Sequence, residues 1–207
     1  MRSIPASSQA IDEALAVLQS GGIVAHATET CYGLACDLTN VRAVERIFTV
    51  KERPYTSPVN ALFHSVEATE EWVEWTEEAR ALAAAHLPGP LTIILPLRPQ
   101  RAGSIFPSPS PSPSPMLGIR ISPHPIAMEL SKRYPKPIST TSANRTSLAE
   151  GYSVAEILEQ FAGRKAQPDL CIDSGILEFQ PPSTIVTFER GTMEIVRQGS
   201  VCLELEP

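Results

Sequence analysis

The chain has 207 residues, 43% of them hydrophobic and 19% charged, with a formal net charge of −6. That length suits one large domain, read here as spanning 1–207 with a core over about 8–203, and the apolar fraction supports a proper core. The acidic balance argues against a general nucleic-acid coat protein, because neutralising phosphates takes clustered Lys and Arg; a local basic pocket stays compatible with it.

Taken in order, Ser7 or Ser8 can cap a helix over 9–19, with Ile11, Leu15 and Leu18 as its apolar stripe and Gly21-Gly22 ending it. An apolar run over 22–27 reads as a buried strand. It leads into a polar, hydroxyl-rich turn, Thr28-Glu29-Thr30-Cys31-Tyr32-Gly33. Asn40 is an N-cap, and Val41, Val44, Ile47 and Phe48 fall on one face of the helix it opens. Lys51 and Arg53 close that helix before Pro54 stops it.

A loop over 55–58 and a strand over 59–63 follow, then a short acidic helix over 69–75. Thr76, with Glu77 and Glu78 behind it, opens an Ala-rich helix to about Leu87. Pro88-Gly89-Pro90 is a rigid turn into a strand over 91–95. The stretch 98–115 holds an alternating Ser-Pro tract that can form neither helix nor central strand, and reads as a passive surface loop. A strand over 117–121 carries Arg120, a helix covers 125–134, and a strand over 137–141 runs into Ser142-Ala143-Asn144. Ser153 and Glu156 form a capping box. Strands over 170–172, 184–188, 193–196 and 201–203 complete the chain, with a hairpin turn at 189–191. Interleaved but not strictly alternating elements favour a mixed, twisted α/β sheet with flanking helices.

Cys31, Cys36, Cys171 and Cys202 form no CxxC pair and none stands at zinc-site spacing from a His, so they read as free thiols in a reducing cytosol, with no metal site. The N-terminus has no apolar signal core and no run reaches membrane-span length, so a cytoplasmic location without a membrane partner is expected. His26, His64, His86 and His124 sit in no triad-like pattern and read as structural or surface residues.

Lys51 and Arg53 alone fit a solvated helix end. Thr140-Thr141-Ser142-Ala143-Asn144 alone fits a loop whose side chains satisfy its own backbone, although hydroxyls beyond a strand's carboxyl end stand where open α/β sheets bind ligands. Together they supply what a phosphate and a small polar substrate require.

The ordered set resembles the YrdC family, the threonylcarbamoyl-AMP synthases. In that family a GG-strand leads into T-[DE]-T-x-Y-G-L and then K-x-R-P, here Thr28 to Leu34 and Lys51-Glu52-Arg53-Pro54. The family's S-x-N corresponds to Ser142 and Asn144, and its P-G-P-[LF]-T turn to Pro88 through Thr92. Gly118-Ile119-Arg120, Pro182-Ser183-Thr184-Ile185-Val186 and Ile195-Val196-Arg197-Gln198-Gly199 resemble three further family segments. No single motif is specific; the ordered set is.

The resemblance implies a YrdC-like α/β fold around a large positively charged cavity. It implies synthesis of threonylcarbamoyl-AMP and pyrophosphate from L-threonine, bicarbonate or CO2, and ATP, with Mg2+ accompanying the nucleotide. The product would pass to a separate transferase for tRNA modification. Lys51, Arg53, Ser142 and Asn144 would be catalytic; these with Tyr55 and Arg197 would bind ATP. Thr28, Asn60, Arg120, Thr140 and Ser183 would bind threonine, Arg120 gripping its carboxylate. The length leaves no room for the extra domain of longer members, so the short form is expected.

Departures from the family pattern include Cys31 in place of valine and Arg145-Thr146-Ser147 in place of L-S-G. Two rival readings stand beside the synthase: a synthase of another carbamoyl adenylate, and a non-catalytic RNA-binding or ribosome-associated module. Weak direct RNA binding is compatible with the first reading too.

Overall fold

The computed structural model describes residues 1–55, 59–105, 115–189 and 192–203. Loop residues 56–58, most of the Ser-Pro tract (106–114) and the hairpin turn at 190–191 lie outside the described residues. In chain order the elements are β1 (Arg2–Pro5), α1 (Ser8–Gln19), β2 (Val24–Ala27), β3 (Tyr32–Ala35), α2 (Val41–Lys51), β4 (Asn60–Leu62), α3 (Glu77–His86) and β5 (Leu91–Pro96). They continue with β6 (Met116–Arg120), α4 (Pro125–Arg133), β7 (Ile138–Ser139), β8 (Thr141–Ser142), α5 (Val154–Phe161), β9 (Leu170–Asp173), β10 (Thr184–Glu189) and β11 (Thr192–Arg197).

The strands form two mixed sheets, ordered β1-β9-β2-β3-β8 and β11-β10-β5-β6-β4-β7. The expected mixed α/β architecture is present, divided into two sheets. Their junction is one short segment. Ser139 pairs with Ala61 in the larger sheet, whereas Thr141 and Ser142 pair with Leu34 and Gly33 in the smaller one. Thr140, between them, donates its amide to the Asn60 carbonyl at 2.8 Å. The Ser139 hydroxyl accepts from Cys36 N at 2.9 Å and donates to the Leu34 carbonyl at 3.1 Å. A buried hydroxyl thus serves backbone groups at the end of β3, beside the point where its neighbouring strand changes sheets.

The helices begin where their caps dictate. The Ser7 side chain accepts from Ala10 N, Asn40 from Arg42 N and Ala43 N, and Thr76 from Ala79 N. Ser153 and Glu156 form the reciprocal capping box of α5. Ala10, Ile11, Ala14, Leu15 and Leu18 of α1 pack with Ala127 and Leu130 of α4 on Val24, Leu170 and Ile172. A larger cluster joins Ile47 and Phe48 of α2, Ala79 and Ala83 of α3, and Ile157 and Phe161 of α5 to the apolar residues of both sheets. Fully burying each large aliphatic or aromatic side chain contributes about 2 kcal/mol, which is what pins these amphipathic helices.

Four expectations are corrected. Val41 is 67% exposed, because the helical period sets a direction but not whether a neighbour lies there. The helix over 69–75 is absent: only Glu67–Thr69 forms a single 3-10 turn. The amide of Glu74 pairs with the Pro96 carbonyl, and the Trp72 carbonyl accepts from Arg98 N, so the end of β5 takes the groups a helix would need. Residues 201–203 form no strand, since the Val201 backbone pairs with the Thr184 hydroxyl instead. Within the predicted hydroxyl-rich turn, Tyr32 and Gly33 already belong to β3, which folds back antiparallel on β2. The sequence reading also missed β1, an edge strand that tolerates Pro5.

Candidate active site

A cavity of about 370 Å³ opens where the two sheets meet. The smaller sheet and its turn supply Thr28, Thr30, Cys31, Gly33 and Ser142; the larger supplies Asn60, Thr92, Arg120 and Arg197. Lys51 and Arg53 enter from the end of α2, and Asn144, Thr146 and Glu150 from the loop after β8. Four cations and one carboxylate therefore stand among the described residues on its wall.

Lys51 is buried, at 4% exposure, although it is charged. Its ammonium donates to the Asn144 carbonyl at 2.9 Å, to Asn144 Oδ1 at 3.1 Å and to the Ser142 carbonyl. Burial, and after it the charge of Arg53, lower its pKa to about 8. The Ser142 hydroxyl donates to Asn144 Oδ1 at 2.7 Å, and Asn144 Nδ2 donates to the Leu148 carbonyl at 2.6 Å. Lys51, Ser142 and Asn144 are thus one connected unit, and contact with a phosphate would come at the cost of exchanging an internal bond.

Arg53 differs. It lines the cavity half-buried, with no side-chain hydrogen bond or ion pair among the described residues, and burial works against its charge. A guanidinium left with its donors unspent is a ready anion partner. Across the cavity, Arg197 donates from Nε (3.1 Å) and Nη2 (2.8 Å) to the Ser183 carbonyl. The Ser183 hydroxyl lies 3.1 Å from that of Thr92.

Arg120 is 5% exposed, and burial opposes its charge while Glu29 supports it. Nη1 donates to the carbonyls of Gly89 and Leu91, and Nη2 to Glu29 Oε1. The rigid Pro88-Gly89-Pro90 turn thus has a use: it holds the back of the guanidinium.

Thr28, Lys51, Arg53, Asn60, Arg120, Thr140, Ser142, Asn144, Ser183 and Arg197 all border this one cavity. Tyr55 does not: its ring stacks on Phe48 and its hydroxyl donates to the Glu45 carbonyl at 3.2 Å, turning it along α2. Sequence reasoning missed Thr30, Thr92, Thr146 and Glu150. Thr30 and Thr92 stand inside the quoted motifs, Thr146 lies in the Arg145-Thr146-Ser147 departure from the family pattern, and Glu150 carried no local signal. Ser147, where the family pattern has glycine, adopts a left-handed φ of 70°. Three of the four cysteines are buried, and burial pushes the Cys31 thiol up to about 12. No helix among the described residues is long and apolar enough to cross a membrane.

Residues 16–199 match the Sua5/YciO/YrdC family model, described as "Telomere recombination". A threonylcarbamoyl-AMP synthase of Klebsiella pneumoniae is 30% identical over 157 residues, 74% of this chain and 80% of that protein. One of Pyrococcus abyssi is 31% identical over 188 residues, 90% of this chain but 53% of its own length. The crystal structure of P. abyssi Sua5 complexed with L-threonine superposes with a TM-score of 0.81 at 29% identity, covering 96% of this chain and 56% of that one. Family match, relatives and fold agree with the ordered motifs around the cavity: this chain belongs to the Sua5/YciO/YrdC family.

Proposed function

We propose that this chain is a threonylcarbamoyl-AMP synthase, joining L-threonine, bicarbonate or CO2, and ATP into threonylcarbamoyl-adenylate and pyrophosphate. The observation that carries the reading is the presence, in one cavity, of Arg53, whose side chain has no partner among the described residues, and of Arg120, held by its back edge. One side suits a polyphosphate and the other an amino-acid carboxylate. The curated relatives bear the same activity in their names.

Chemically, the threonine amine loses a proton and adds to CO2, giving a carbamate. A carbamate oxygen then attacks the α-phosphorus of ATP as the bond to pyrophosphate breaks. No covalent enzyme intermediate is required, so positioning and electrostatics carry the catalysis. Arg120 orients the threonine carboxylate, and the hydroxyls of Thr28, Thr140 and Ser183 and the amide of Asn60 surround the rest of the amino acid. Arg53 and Arg197 take the phosphates. Lys51 holds the loop through Ser142 and Asn144 against the nucleotide and adds its charge there.

Mg2+ would accompany ATP and neutralise phosphate charge. Among the described residues no cluster of three or more His, Cys, Asp or Glu could hold a metal, and the cavity wall offers one carboxylate, Glu150. The ion would therefore be carried by the phosphates. The product would go to a tRNA-modifying transferase.

The deciding experiment is pyrophosphate release from ATP, omitting L-threonine and bicarbonate in turn. The reading expects release only when all three substrates are present. Release without threonine, or none from folded protein with all three, would overturn it.

A further inference from the structure

We infer that Glu29 is a positioning residue, whose carboxylate holds Arg120 from behind so that the guanidinium meets a substrate carboxylate in one orientation; this rests on the synthase reading above. Thr28 and Thr30 line the cavity, and Glu29 between them does not. The turn is tight, closed by the Thr28 amide on the Cys31 carbonyl at 3.0 Å and by the Thr28 hydroxyl, which donates to that carbonyl and accepts from Thr30 N and Cys31 N. Thr28, Thr30 and Cys31 therefore face the cavity, while the Glu29 carboxylate reaches Arg120 and Ser122.

Glu29 Oε1 accepts from Arg120 Nη2, and Oε2 accepts from the hydroxyl of Ser122. Ser122 is 1% exposed, stands just past β6, and borders no part of the cavity. Its hydroxyl in turn accepts from His124 N at 3.2 Å, tying the arrangement to the start of α4. Arg120 Nη1 is spent on the Gly89 and Leu91 carbonyls. Among the described residues, Nε–H and one Nη2–H remain undonated. An incoming carboxylate therefore meets a guanidinium already held at both Nη atoms, with its remaining donors free to meet the substrate.

A carboxylate beside a substrate-binding arginine could instead be a stand-in that the substrate must displace. The geometry points away from that. The stand-in would occupy the cavity, whereas Glu29 is held outside it by Ser122. The two roles predict opposite signs. Removing a support weakens substrate binding; removing a competitor tightens it.

The test compares wild type, Glu29→Ala, Glu29→Gln and Glu29→Asp by pyrophosphate release and by calorimetric titration with L-threonine and L-threoninamide, which lacks the carboxylate charge. Wild-type release that requires threonine settles the synthase reading separately. For Glu29→Ala the expected result is a rise in the threonine KM of about tenfold or more, with the ATP KM unchanged, since the guanidinium loses its orienting partner. The wild-type preference for threonine over threoninamide should shrink in the same variant, which a purely structural role would not cause. Glu29→Gln keeps an acceptor at the same reach and should retain more of that preference than Glu29→Asp, which is one methylene short. If Glu29→Ala fails to fold, because a buried arginine is left unpaired, the Gln and Asp pair decides by that order. Tighter threonine binding in Glu29→Ala, an unchanged preference for threonine over threoninamide, or Asp outperforming Gln would each overturn the inference.

Discussion

The ammonium of Lys51, in the last turn of α2, donates to both the backbone carbonyl (2.9 Å) and the side-chain Oδ1 (3.1 Å) of Asn144. The helix end and the loop beyond β8 are thereby fastened across a wide gap in sequence, and the bond sits on the cavity wall. Lys51 is consequently both a charge and a strut. Lys51→Ala should reduce pyrophosphate release by about a hundredfold or more, the scale of losing a preorganised electrostatic contact. Thermal melting separates the two roles: if Asn144→Ala lowers Tm as much as Lys51→Ala yet retains activity, the charge matters more than the strut.

Lys51 also sets a pH dependence. Its pKa is about 8 in the folded protein and near 10.5 when unfolded. The unfolded state therefore binds more protons between those values, and the stability contribution of this group rises with pH across that window. The burial penalty is fully present below about 8. Activity should run the other way, because the ammonium charge is lost above about 8 in the free enzyme. The ATP KM should climb from there, and bound phosphates should shift the limb in kcat upward. A flat ATP KM from neutral pH well past that point would refute this.

The thiols should divide by burial. Cys31, Cys36 and Cys171 are buried and each is pushed up to about 12, whereas Cys202 is exposed. The thiolate is the reactive form, so native protein treated with iodoacetamide should gain one adduct, at Cys202, and denatured protein four. Peptide mapping that finds Cys31 alkylated in the native state would show that the reagent reaches this thiol through the cavity it lines, against the expected protection by burial.

Ser147 carries a left-handed φ of 70° in a position where a side chain is strained. Ser147→Gly should raise stability by about 0.5–1 kcal/mol, the relief of that strain less the added entropy of the unfolded chain. Denaturant unfolding at constant m-value is the measurement.

Gly118 has the opposite constraint. A Cβ there would run into Asn60 Oδ1, on the strand paired with it. Gly118→Ala should push the Asn60 amide into the cavity and raise the threonine KM while costing about 1–3 kcal/mol of stability through overpacking. An unchanged KM would place Asn60 away from the amino acid.

Local chemistry was readable in the chain. The caps Ser7, Asn40, Thr76 and Ser153 act through neighbours a few residues away, so they announce their helices. Lys51, Arg53, Arg120, Ser142, Asn144 and Arg197 stood out as an ordered motif set, and the fold gathers all of them around one cavity. Tyr55, which the resemblance adds to the ATP-binding residues, turns its ring along α2, because residue order carries no side-chain direction.

What only the tertiary structure decided is what depends on pairing across distance. That the strand before Ser142 leaves one sheet at Ser139 and joins the other at Thr141 has no local signal, because hydrogen-bond partners, not residue types, choose the sheet. That Glu29 supports Arg120 rather than facing the substrate depends on where Ser122 lies in space. The loss of the helix over 69–75 has the same cause, since the end of β5 claims its backbone groups. Sequence by itself determined the inventory of caps, strands and reactive groups, which short-range chemistry specifies; the meeting of two sheets determined which of those groups share a cavity, because long-range backbone pairing is encoded by no single residue.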